Sequence, residues 1–244
     1  MVAGHYYLLI TLITAHIVSD FFLQTKKDVK NKNHYSVFIK HILIVALLSY
    51  LFIGIWTAWL IPVIIAVTHA VIDKIKLTLN SGKFNDWQSF TLDQAFHLIV
   101  IGLVAVIFGA NEPMQSFWLD KFGNSFLEAN IYISGVILTV LTGGIIVGMM
   151  VKPFLDQIEV EQNGLKNGGE LIGRLERVLI FFFVLYGEIT AIGFLVAAKS
   201  IYRFGELTNS ENRKQAEYIL IGTLYSFSWA FILSWFTQKA AETI

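Results

Sequence analysis

The sequence predicts an all-α fold, a polytopic transmembrane helical bundle of about seven spans, on three observations. Hydrophobic residues make up 55% of the 244-residue chain and charged ones 15%, with mean hydropathy +0.63, which is too apolar for an ordinary water-soluble domain. Apolar runs recur at close to the ~20 residues that a helix needs to cross ~30 Å of hydrocarbon. Lysine and arginine gather in alternate connections, the signature of a chain threaded back and forth through a membrane.

The first run extends from about His5 to Gln24, and a loop with Lys26, Lys27, Lys30 and Lys32 follows it. The opening residues have no basic leader and this run carries His16 and Asp20, so it is read as a retained span and not a cleaved signal. The second run covers Tyr35 to Gly54 and the third Trp56 to Asp73, joined as a hairpin. Trp56, Trp59 and Pro62 open the third, where interfacial aromatics and a first-turn proline belong. Lys74 to Thr91 is polar and reads as a surface segment, and the fourth span runs from Asp93 to Gly109.

Asn111 to Asn130 mixes aromatic and acidic residues and suits a piece lying in the interface or re-entering from it. A fifth span, Ile131 to Val151, contains Gly144 and Gly148, a small-xxx-small pair that lets another helix approach closely. Lys152 to Arg177 reads as a polar connection leading into a helix that starts near Glu170; its glycines match neither a phosphate-binding loop nor a dinucleotide fingerprint. The sixth span, Val178 to Ala198, has Glu188 near its middle, and the seventh runs from Ala216 to Trp235. Two parts are expected: residues 1–110, a four-span domain with the polar site, and residues 111–244, a C-terminal membrane extension.

Formal net charge is zero, with the positive residues spread through loops, so nucleic acid is not an expected partner. Cysteine is absent, which excludes a disulfide framework, a thiolate zinc site and a thiol nucleophile. With the N-terminus outside, thirteen lysines and arginines fall on the inner side and five on the outer, as the positive-inside rule favours.

The chemistry lies in polar residues set inside the apolar runs. His16 and Asp20, His69 and Asp73, and Asp93 and His97 are each four apart, so a helix projects both members from one face. His41 opens the second span. Because successive spans reverse direction, all seven fall toward one leaflet, the cytoplasmic one by the charge rule. Ionisable groups inside spans face a bundle interior or a wet cavity and mark function. Imidazole and carboxylate together suit a divalent metal such as Zn, Mn or Fe. The expected metal ligands are therefore His16, Asp20, His41, His69, Asp73, Asp93 and His97, although Asp93 could instead serve as the N-cap of the fourth helix. Asp20 and Asp73 are the candidate catalytic carboxylates. Gln24, one turn beyond Asp20, together with Lys74 and Lys76, is a candidate for holding an anionic substrate. His5 and His34 lie outside the pattern and are expected at the surface.

At HIVSDFFLQ (His16–Gln24), KH (Lys40 and His41) and HAVIDKIK (His69–Lys76), the first hundred residues resemble an uncharacterised family of bacterial and phage-encoded polytopic membrane proteins, a domain of unknown function. The resemblance implies a multi-pass location, read here as the bacterial inner membrane, and a shared polar site. It transfers no activity. GRLER at Gly173–Arg177 and AEYILIGT at Ala216–Thr223 resemble an extension found in some members. Three functions are compatible with the residues: a metal-dependent hydrolase of a lipid-linked or phosphorylated substrate, a proton-coupled or divalent-ion transporter in which Glu188 extends a proton path, and a non-catalytic sensor or anchor. Partners are the lipid bilayer and a lipid-linked substrate, and homo-oligomerisation is compatible with the sequence.

The orientation is testable in this cysteine-free chain. A cysteine placed at Lys30 is expected to react with an impermeant thiol reagent only after the membrane is opened; reaction in sealed cells would invert the topology.

Overall fold

The computed structural model describes residues 4–79, 86–110, 115–158, 167–207 and 213–244. Every regular element among them is helical. The chain forms two compact units, Met1–Ile137 with Ala241–Ile244, and Leu138–Ala240.

In the first unit, α1 (Gly4–Ile17) passes directly into a π-helical segment, Val18–Leu23, and then a short α2 (Lys26–Lys30). The long helices α3 (Tyr35–Ile53), α4 (Leu60–Leu79) and α5 (Asp86–Gly109) follow, then the short α6 (Phe117–Phe122) and α7 (Asn124–Ile137). Helix α1 is the centre, packing against α3, α5 and α7, while α4 packs between α3 and α5. Tyr7, Leu8 and Leu12 of α1 meet Val45, Ile53, Ile61, Ile65, Ile101 and Val104 in a shared core.

The outward faces are as apolar as the core. On α3, His41, Val45, Ser49 and Ile53 are buried while Ile39, Leu43, Leu47 and Leu51 are exposed. On α4 the exposed row is Val63, Val67, Val71 and Ile75. Polar inside and aliphatic outside at a period of about four is the pattern of a helix that meets lipid and not water.

Close approach and satisfied helix ends hold this unit together. A Cβ on Gly109 would lie 2.4 Å from the His5 backbone, and one on Gly4 would lie 2.7 Å from the Gly109 carbonyl oxygen, so α1 and α5 touch backbone to backbone at a glycine pair. Helix α3 ends at Gly54, whose φ of 58° gives the left-handed cap that turns the chain toward α4. Carbonyls freed there find donors: the Tyr7 hydroxyl donates to Ile53 at 2.8 Å, the Trp118 indole to Leu51 at 2.6 Å and the Phe117 amide to Gly54 at 2.9 Å. A helix end without such partners would be costly in hydrocarbon.

The second unit starts with another π-helical segment, Leu138–Thr142, followed by α8 (Gly143–Leu155), α9 (Gly168–Leu185), α10 (Ile189–Leu207) and α11 (Arg213–Glu242). The buried Arg177 guanidinium donates twice to the Val140 carbonyl, at 3.0 and 3.1 Å, and once to the Ser226 hydroxyl at 3.0 Å; Trp229 donates to Leu138 at 3.0 Å. The π turn exposes backbone acceptors that these side chains satisfy. Gly143, Gly144 and Gly173 leave room for Arg177, since a Cβ on any of them would come within 3.0 to 3.2 Å of it.

Several expectations change. Among the described residues, five helices are long and apolar enough to span a membrane, and the expected count of seven is not reached there. Helix α4 has the length but carries Asp73, Lys74 and Lys76 near its end. The sixth run is not one helix. It folds into the hairpin α9–α10, turned by Gly187 with φ 77°, and its two bonds, Glu188 N–H to Phe183 at 2.7 Å and Gly187 N–H to Val184 at 3.1 Å, form a Schellman cap. Lys199 of α10 returns to Glu176 of α9 at 2.7 Å. Glu188 is thus exposed in a turn and not mid-span. Gly144 serves the Arg177 seat, and Gly148 faces open space, so they are not a joint helix-contact pair. Of the polar segment Lys74–Thr91, the first residues continue α4 and the last open α5, while residues 80–85 lie outside the described residues.

Substitution at the glycine contact measures the α1–α5 packing. Gly109→Ala is expected to destabilise the protein by about 1–3 kcal/mol, the usual range for overpacking, whereas Gly102→Ala, with nothing within 4 Å, is expected to be neutral or stabilising. Thermal melts in detergent or nanodiscs compare the two; equal behaviour would refute the contact.

Candidate metal centre

Four helices deliver polar side chains to one end of the first unit. His16 lies in the last turn of α1 and Asp20 in the π segment that extends it; His41 is in the second turn of α3, His69 at the middle of α4 with Asp73 one turn further on, and Asp93 and His97 within α5. Helices α1 and α4 run toward that end while α3 and α5 start from it. All seven side chains are at least nine-tenths buried.

The centre of the cluster is a set of four donors. His41 Nε2 and His69 Nε2 are 3.0 Å apart. Asp20 Oδ1 lies 3.5 Å from His41 Nε2 and 3.7 Å from His69 Nε2; Asp73 Oδ2 lies 3.8 and 3.4 Å from the same two atoms. Beyond them, His97 Nε2 is 4.0 Å from the other oxygen of Asp73, Oδ1, and 3.6 Å from Asp93 Oδ1. His69 and His97 stack with centroids 4.1 Å apart. His16 completes the group, with Nδ1 3.7 Å from Asp20 Oδ1.

Cations and amides surround this set. Lys32 Nζ reaches Asp73 Oδ2 at 2.7 Å, and Lys76 Nζ reaches Asp93 Oδ2 at 2.7 Å. Gln94 bridges two members, accepting from or facing His16 Nε2 at 3.2 Å through its oxygen and donating to Asp93 Oδ2 at 3.1 Å. Ser19 donates to Asp20 Oδ1 at 3.0 Å. Lys32 is carried in by the turn after α2, which a capping box fixes: the Asp28 amide donates to the Thr25 hydroxyl at 3.1 Å, and the Thr25 amide to the Asp28 carboxylate at 3.1 Å. The Thr25 hydroxyl also donates to that carboxylate, and this holds the Asp28 carboxyl below the usual carboxylate range.

The donor spacing fits a divalent ion. Hydrogen bonds of these types cluster at about 2.7–3.2 Å, and most of the imidazole–carboxylate distances here exceed that. Two ligands at ~2.1 Å from one tetrahedral ion stand about 3.4 Å apart, which is the middle of the observed range. His97 Nε2 and Asp93 Oδ1 are buried with no hydrogen-bond partner, a costly state unless a cation takes their lone pairs. The sets Asp20–His41–His69, Asp73–Asp93–His97 and His16–His69–His97 each bring one donor atom per residue within 4.8 Å of one another.

The structure therefore unites all seven expected ligand residues. Asp93 is not an N-cap, because α5 begins at Asp86 and Asp93 sits two turns inside it. Gln24 does not continue the face of Asp20: the helix stops at Leu23 and Gln24 is extended, with a buried side-chain Nε2 that has no partner. Lys76 joins the cluster but Lys74 does not, being about 100° further round α4 than Asp73 and exposed. His5 and His34 are exposed, as expected. Sequence reasoning passed over Lys32 and Gln94 as site residues. Gln94 adjoins Asp93 and was findable; Lys32 was one of several loop lysines with nothing to single it out.

Residues 8–122 match the family described as Protein of unknown function (DUF3307). The DUF3307 match runs from within α1 to the end of α6 and takes in every residue of the cluster, and it bears out the resemblance to an uncharacterised family. Searches of curated proteins and of solved structures return no match.

The Lys32–Asp73 pair is a buried ion pair at 2.7 Å within the cluster. Removing one partner of a buried ion pair strands the other, so Asp73→Asn is expected to cost about 3–5 kcal/mol in metal-stripped protein. Lys32→Met added to it is expected to recover much of that loss. Additive losses in a thermal or denaturant double-mutant cycle would mean the pair is not coupled.

Proposed function

We propose that the protein is a metal-dependent membrane hydrolase acting on a lipid-linked or phosphorylated substrate at the cytoplasmic leaflet. The observation that carries this reading is the buried four-donor set Asp20, His41, His69 and Asp73, whose distances of 3.0 to 3.8 Å match the edges of a metal polyhedron. A divalent ion held there would supply Lewis acidity and lower the pKa of water beside it.

The chain's own residues supply the rest. Asp20 and Asp73 stand against imidazole nitrogens, where a carboxylate orients a ligand or accepts a proton. Lys76, with its side chain 30% exposed, can reach an anionic group arriving from the membrane boundary. The placement of the cluster at one end of the bundle suits a substrate whose headgroup lies at the leaflet surface. The transport reading is weaker than the sequence suggested, because Glu188, its proposed proton relay, is exposed in a hairpin turn.

Reconstitution into liposomes tests the proposal. Added Mn²⁺ or Zn²⁺ is expected to support release of phosphate from lipid phosphates, reduced at least 100-fold in Asp20→Asn, in line with the contribution of a general base. Metal-dependent ion or proton flux that leaves the lipids chemically unchanged, and is lost in the same variant, would replace the hydrolase reading with transport.

A further inference from the structure

The seven donors outnumber what one ion can use, and they are not evenly spread. Six of them divide about Asp73, and His16 stands beside Asp20 at 3.7 Å. Asp73 Oδ2 faces His69 Nε2 at 3.4 Å and His41 Nε2 at 3.8 Å, while its Oδ1 faces away to His97 Nε2 at 4.0 Å. The first group is completed by Asp20 Oδ1 and the second by Asp93 Oδ1, 3.6 Å from His97 Nε2. A carboxylate whose two oxygens serve two donor sets is the geometry of a bridging ligand.

We infer that the site is dinuclear, with Asp73 bridging two divalent ions. The inference rests on the metal-centre reading above and extends it. The first ion would take Asp20, His41, His69 and Asp73 Oδ2, a closed four-donor set. The second would take Asp73 Oδ1, Asp93 and His97, only three protein donors, which leaves a position open for a reacting ligand, as catalytic sites do and structural ones do not.

Two further observations support the second position. His97 Nε2 and Asp93 Oδ1 are the buried, unpartnered polar atoms of the cluster that face each other; 3.6 Å is too long for a hydrogen bond between them and suits two ligands of one ion. Asp93 Oδ2 is already fixed by Lys76 at 2.7 Å and Gln94 at 3.1 Å, which aims Oδ1 inward, the outer-shell support that metal carboxylates commonly have. Lys32 does not block the bridge, because a carboxylate oxygen accepts at two positions.

Charge then indicates the substrate class. Three aspartates offset three of the four positive charges of two divalent ions, and Lys32 and Lys76 add two more. A buried excess of positive charge favours a multiply charged anion, so a phosphoryl group is the fitting ligand. Paired ions about 3.5–4 Å apart clamp the oxygens of a phosphoryl transfer.

Full-length protein in nanodiscs, loaded with Mn²⁺ alone and washed, tests this by elemental analysis and electron paramagnetic resonance. Two ions per chain with an exchange-coupled spectrum are expected in the wild type, falling to one uncoupled ion in His97→Ala and in the milder His97→Gln. Asp73→Asn is expected to abolish the coupling. Thermal melting of each variant separates lost binding from lost folding, and the wild-type count stands without any variant. One ion in the wild type, retained in both His97 variants, would overturn the dinuclear site and leave the single-metal hydrolase intact. No bound ion at all would overturn both. Two ions without coupling would overturn the bridge.

Discussion

Three carboxylates buried inside an apolar helical unit dominate its physics. Moving a carboxylate out of water costs several kcal/mol even after relaxation, and Asp20, Asp73 and Asp93 expose 7%, 1% and 4% of their side chains. The surrounding structure is arranged to meet that cost. Lys32 and Lys76 each ion-pair one carboxylate, Ser19 and Gln94 donate to two of them, and four imidazoles face all three. The imidazole distances nevertheless stay mostly beyond hydrogen-bond length. The protein's own groups compensate the charge without closing the site, which is the condition for admitting a cation.

Backbone irregularity accompanies each polar centre. Asp20 sits in a π turn that follows an otherwise regular α1, and the second unit repeats the device, with Leu138–Thr142 presenting carbonyls to Trp229 and Arg177. π turns are rare and concentrate where a helix must aim a particular group. In the first unit it presents a carboxylate to the cluster. In the second it gives a buried guanidinium acceptors that a regular helix would have used internally, and the neighbouring glycines make the space. The two units thus use the same backbone feature for different ends.

The opposite end of the first unit shows why the cluster can be rigid. Tyr7, Ser116, Trp118 and the Phe117 amide consume the carbonyls at the end of α3, and the Gly4–Gly109 contact locks α1 to α5. A cluster whose donor spacings are to stay fixed needs helices that do not slide, and these contacts tie α1, α3 and α5 together at one end while the polar cluster sits toward the other.

Composition and spacing were enough to read the membrane bundle and the seven-residue cluster, because both depend on local quantities: hydropathy over one helix length, and the four-residue repeat that puts two side chains on one face. Alternation of span direction then put the pairs at a common depth without any knowledge of packing. The hairpin at Gly187 was missed because an apolar run looks continuous across a single glycine, and only the packing of α10 back on α9 shows the reversal. The π turns left no mark in the residue pattern, since they arise from competition for backbone acceptors. Lys32 and Gln94 became part of the site through tertiary contacts alone: a loop lysine among many acquires its partner only when α2 and its capped turn carry it over α4. The sequence by itself determined which residues could bind a cation and at which end of the bundle. The tertiary structure decided how the oxygens of Asp73 divide between two donor sets, because that division depends on the mutual rotation of four helices, which no single helix encodes.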